Sequence, residues 1–96
     1  MIKLEALFRD GTKFELKTIY INPAFVVSIR EDSLLTKDLR CENMAQKFPK
    51  GLNAAHTLSE VVYNEANISK RLTVIGAPEV IQARMGQTST KTLLRG

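Results

Sequence analysis

The chain has 96 residues, 44% of them hydrophobic, 25% charged and 6% aromatic, with 14 Lys and Arg against 10 Asp and Glu, a formal charge of +4. Such a length excludes a two-domain enzyme, and such an apolar content opposes disorder throughout, because ordering entropy is offset only by burying enough apolar surface. No apolar run approaches the roughly 18 residues of a membrane-spanning helix, and Met1-Ile2-Lys3-Leu4-Glu5 does not read as a secretory signal. A soluble, unexported chain without membrane contact is therefore expected. Cys41 is the only cysteine, which fits a reducing cytoplasm and leaves no intramolecular disulfide or multi-thiolate metal site to form.

Residues 2–9 alternate with the period of a half-buried strand, placing Ile2, Leu4, Ala6 and Phe8 on one face and Lys3, Glu5 and Arg9 on the other, with Leu7 off pattern. Asp10-Gly11 marks a turn, and alternation resumes over residues 14–17, with residues 18–21 extending the second strand. A two-residue Asp10-Gly11 loop pairs residues whose numbers sum to 21 and mixes the faces. A sum of 20 suits the bulged turn Arg9-Asp10-Gly11 but sets Glu5 against Glu15. A sum of 22 matches Phe8 with Phe14 and Glu5 with Lys17, and side-chain pairing favours it.

Asn22-Pro23 breaks the pattern, since proline lacks a donor N–H and restricts its predecessor. Residues 24–30 then form a third strand with Phe25, Val27 and Ile29 on one face and Val26, Ser28 and Arg30 on the other. Between residues 36 and 57, Cys41, Met44, Ala45 and Phe48 recur at helical spacing, predicting a helix near 38–48 capped by Thr36 or Asp38 and stopped by Pro49 and Gly51; a long irregular excursion is the alternative. Residues 58–63 and 71–75 read as two more strands around a polar turn at 64–67. Gly76 supplies a backbone bend, and Pro78 with Glu79 opens a helix over 78–85 that ends at Gly86. Residues 87–96 lack a clear period and read as a loose basic tail. The fold class expected is α+β: about five antiparallel strands in a twisted sheet or partly open barrel, with one or two short helices, in a single compact domain over 1–86.

Catalytic constellations are sparse. Cys41 and His56 would need spatial adjacency and an orienting carboxylate to act as nucleophile and base, so Cys41 is expected to be a small buried hydrophobe and His56 a partly exposed polar residue. Glu31-Asp32 is the only adjacent pair of carboxylates and is expected to be a solvated turn. No metal-ligand spacing and no phosphate-cradling cluster of glycines precede any element, so no catalytic residue, metal or other cofactor is assigned. The positive surplus is confined to residues 36–56 and the tail. If these lie on one side, Arg40, Lys47, Lys50, Lys91 and Arg95, joined by Lys70 and Arg71, would contact phosphates of RNA or DNA. Phe48, the one aromatic with basic neighbours suited to base stacking, is expected in the core. Leu7 and Val26, apolar on otherwise polar faces, are the candidates for an interface with another copy of the chain or another protein.

The opening Met1-Ile2-Lys3-Leu4, the Asp10-Gly11 turn followed by Phe14 and Leu16, the strand near Val26-Val27-Ser28-Ile29 and the late Pro78-Glu79-Val80-Ile81 resemble the small flagellar FlbD-type proteins over about half the chain. The resemblance implies a small β-rich module with a noncatalytic accessory or regulatory role; a small phage-encoded protein would have the same character. The function expected is a noncatalytic binding or assembly module that self-associates or docks on a protein partner, with nucleic-acid binding through the basic patch as the alternative. An enzyme ranks third.

Overall fold

A computed structural model describes the backbone of residues 1–95 and the side chains of residues 1–86. Five antiparallel strands, β1 (Ile2–Asp10), β2 (Lys13–Ile21), β3 (Val26–Glu31), β4 (Leu58–Glu65) and β5 (Ile68–Ile75), form one open sheet in the order β2-β1-β5-β4-β3. A 3-10 turn, Pro23–Phe25, precedes β3. Helices α1 (Ser33–Leu39) and α2 (Glu42–Ala45) follow β3, and α3 (Pro78–Arg95) follows β5.

The first hairpin pairs residues whose numbers sum to 23, from Asp10↔Lys13 to Ile2↔Ile21, and not 20, 21 or 22. The reason lies in the turn. Gly11 has φ +64° and takes the first central position, with Thr12 the second, so the two-residue loop lies one residue later than Asp10-Gly11. This register sets Leu7 opposite Leu16 and Ile2 opposite Ile21, and the alternation of each strand then feeds two faces. On one face Ile2, Leu4, Ala6, Ile21, Val61 and Val74 close a core with Ile81 and Met85 of α3. On the other Leu7 and Leu58 close a second core with Leu39, Phe48 and Leu52 of the excursion. β1 is buried on both faces at its middle, where Ala6 and Leu7 are flanked by β2 and β5, while Lys3 and Arg9 are exposed.

The excursion over 36–57 is a structured cover. Asp32 accepts a hydrogen bond from the backbone of Leu35, so α1 starts before the expected caps, Thr36 and Asp38. Cys41 is extended and separates α1 from α2, which replaces the single helix expected near 38–48. Of the expected stripe, Phe48 is buried and stacks on Phe14 with centroids 4.9 Å apart, while Cys41 and Ala45 are exposed. Phe14 also donates its N–H to the Lys47 carbonyl at 2.8 Å. Thr36, 3% exposed, accepts from the Leu58 N–H at 3.0 Å and fastens α1 to the start of β4.

The second hairpin runs two residues further at the inner end of β4 and three at that of β5 than the sequence pattern indicates, around a two-residue turn of Ala66 and Asn67, both at positive φ. Gly76 bends the chain at φ +128° and leaves room for Ile81, which a Cβ there would meet at 3.0 Å. α3 begins at Pro78 as expected but continues through Gly86, the expected terminator, to Arg95. The backbone of residues 87–95, expected as a loose tail, thus belongs to α3, and the side chains of Lys91 and Arg95 lie outside the described side chains.

Two further features shape the sheet. β1 and β5 pair only through Ala6↔Val74 and Leu7↔Thr73, so two hairpins meet along a two-residue seam. Secondly, Ile21 pairs at the start of β1, whereas Val26 pairs with Tyr63 near the end of β4, on the opposite margin of the sheet. Laid flat, those margins would stand about 19 Å apart across four spacings of about 4.8 Å, with a further offset along the strands. The five residue steps from Ile21 to Val26 reach about 17 Å. The sheet therefore coils into an open trough, bringing the end of β2 towards the end of β4.

Candidate functional site

Among the described side chains, those of α3 fill the trough only in part. Phe8, Ile19, Tyr63 and Leu72 pack against the first core on one side and remain half-buried on the other. They line, with Ile21 and Glu65, a cavity of about 440 Å³. Next to it, sharing Tyr20, Ile21, Tyr63 and Glu65, lies a second cavity of about 440 Å³ bordered by Met1, Asn22, Phe25 and the β4–β5 turn. Around this mouth Met1, Tyr20 and Phe25 are exposed, Tyr20 by 63% and Phe25 by 56%. This apolar, partly open surface is the candidate functional site.

The mouth is a product of backbone geometry. A bulge between Val26 and Ser28 interrupts the alternation of β3, so Val26 and Ile29 pack inward while Phe25 and Val27 are exposed, against the expected grouping of Phe25, Val27 and Ile29. Val26, proposed from sequence as an interface residue, is thus partly buried in the first core. Leu7 is 6% exposed beneath the excursion and is withdrawn from any surface role; its apparent mismatch reflects a strand covered on both faces.

Charges at the mouth are paired. Lys70 reaches Glu65 at 2.6 Å, and this hydrogen bond together with the carboxylate charge raises the pKa of the ammonium above the ordinary lysine value. Lys17 lies 3.3 Å from Glu15 and 5.4 Å from the centroid of the Phe8 ring. Asn22 accepts from the backbone of Ala24 and fixes the 3-10 turn that carries Phe25.

Of the candidate phosphate contacts, Arg40, Lys47 and Lys50 lie on the excursion and Lys70 and Arg71 on β5. Arg40 caps α1 and donates to the Ala54 carbonyl, while Lys47 and Lys50 sit on the excursion that covers the second face. Lys70 and Arg71, adjacent in β5, point to opposite faces; Arg71 shares Glu60 with Arg30, at 3.9 and 2.8 Å. Phe48 is buried against Phe14 and does not serve as a base-stacking ring beside Lys47 and Lys50. Cys41 is exposed, not buried as expected, and His56 directs Nδ1 to the Asn53 N–H at 3.1 Å. Asp32 caps α1 and accepts from the Thr73 hydroxyl, so it serves structure and the Glu31-Asp32 pair does not act as two free carboxylates. Among the described residues no group of three or more His, Cys, Asp or Glu side chains is placed to hold a metal ion, and no helix is long and apolar enough to cross a membrane.

Sequence reasoning passed over Tyr20, Phe25 and Tyr63. The available signal was the loss of alternation at Ile19-Tyr20-Ile21 followed by Pro23, where three successive large apolar residues cannot all face one core. Comparison of the chain with family models, curated proteins and solved structures yields no match. The likeness to FlbD-type proteins therefore rests only on the residues that carry it.

Proposed function

We propose that this chain is a noncatalytic binding or assembly module that holds another protein chain at the apolar mouth of its coiled sheet. The observation that carries this reading is the row Phe8, Ile19, Tyr63 and Leu72, packed to the core yet open to the outside, with Tyr20 and Phe25 exposed beside it. Burying large aromatic side chains supplies much of the free energy in protein interfaces, and the ion-paired charges at the rim suit specificity more than attraction to a polyanion. The basic-patch alternative draws less support, because two of its candidate cations, Lys70 and Arg71, are ion-paired with Glu65 and Glu60.

Two readouts test the reading. An anilinonaphthalene sulfonate dye should brighten on the folded chain and brighten less on Phe25→Asp, since that ring borders the cavity. Light-scattering mass measured with a mixed ladder of single- and double-stranded nucleic acid should not shift at low or high salt. A dark dye, or a mass shift that appears with nucleic acid and fades steeply as salt rises, overturns the reading in favour of phosphate contacts.

A further inference from the structure

The sheet has two outer margins, and among the described residues β2 presents the longer regular one. β3 is short, starts behind Pro23 and carries the bulge at Val26/Ser28, devices that discourage a further strand. β2 is nine residues long and regular. Its Phe14 N–H leaves the sheet for the Lys47 carbonyl, which shows that the backbone groups of the even-numbered residues point outward, and which blocks the strand at that end. Asn22-Pro23 closes the other end. Between them Leu16, Thr18 and Tyr20 present outward N–H and C=O groups that have no backbone partner among the described residues.

We infer that this stretch pairs with the same stretch of a second copy, as an isologous antiparallel junction centred on Thr18. This goes beyond the module reading: it assigns a second copy of the chain to the β2 edge, apart from the occupant of the mouth. The register follows from the limits of the free interval. Only the pairing Thr18↔Thr18, Leu16↔Tyr20 sets all three free residues against free residues. A shift one way uses Phe14, already bonded to Lys47, and brings Lys17 against Lys17; a shift the other way reaches Asn22, beyond the strand. In the centred register Lys17 faces Ile19, Glu15 faces Ile21, and no like charges stand directly opposite. Each lysine keeps its own Glu15 at 3.3 Å, so the paired strip is electrically neutral. On the other face Leu16 meets Tyr20, an apolar–aromatic pair that covers the ring left 63% exposed in the single chain.

The closing experiment uses the full chain. Light scattering should give twice 10.8 kDa at both low and high salt, and Thr18→Pro, which deletes one outward N–H without touching the β1 ladder, should give the monomer mass with unchanged circular dichroism. In a Cys41→Ser background, Thr18→Cys should oxidise to a covalent dimer, because directly opposed residues lie about 5.5 Å apart between Cα atoms, within disulfide reach, whereas Glu15→Cys should not. The cross-link decides the matter if Thr18→Pro fails to fold. A wild-type chain that stays monomeric at every concentration, or Glu15→Cys linking as readily as Thr18→Cys, overturns the junction. A monomer whose dye signal still depends on Phe25 overturns the junction alone and leaves the module reading standing.

Discussion

Ala66 holds φ +52° in the turn between β4 and β5 and forms part of the wall of the mouth. An alanine in the left-handed region costs about 1 to 2 kcal/mol, and glycine would remove that cost while adding up to about 1 kcal/mol of unfolded-chain entropy. Ala66→Gly should therefore stabilise the chain by about 0.5 to 1 kcal/mol. Urea unfolding with an unchanged slope and a raised midpoint is the expected result, and a lowered midpoint would contradict it. Single residues also mark where the sequence was opaque. Cys41, spaced like a buried helical residue, is exposed because the backbone turns extended there; Leu7, spaced like an exposed one, is buried because an element 40 residues downstream covers it. Spacing reports the local period and is silent about what lies on top.

Among the elements, the strands were legible because their alternation is a local property, and so was the start of α3, where Pro78 and Glu79 suit a first turn. The hairpin register was not, since it depends on whether Gly11 occupies the first or second central position of the turn, and both are permitted to glycine. α1 escaped although Asp32 caps it, because Glu31-Asp32-Ser33 reads equally well as the end of a strand. Nor was the mouth legible: it is created by a bulge and by the coiling that a short connection forces on the sheet. The excursion stays in place through Phe48, whose replacement by alanine should cost about 3 to 5 kcal/mol if the whole fold must yield. If only the cover opens, hydrogen exchange will show the Phe14 amide losing protection while the amides shared by β4 and β5 keep theirs. Equal loss in both places would show that the cover and the sheet unfold as one unit.

At the scale of the whole molecule, a coiled sheet with one helix in its trough and one cover on its back leaves the mouth as its large unfilled apolar feature among the described residues. The cations, though in excess overall, are partly offset there, with Arg30 and Arg71 held by Glu60 and Lys70 by Glu65. The two-residue seam has a consequence of another kind. Each hairpin closes over a two-residue turn and forms through near neighbours, whereas Ala6 and Val74 stand 68 positions apart and must meet before α3 has a trough to enter. Closing the longest loop late, against the largest entropy, makes that meeting the slow event of folding. Val74→Ala should accordingly slow refolding in stopped-flow experiments more than it speeds unfolding, and the reverse pattern would place the barrier elsewhere. On this view the time the chain spends with its cores uncovered is governed by two pairs of residues at the join between its halves.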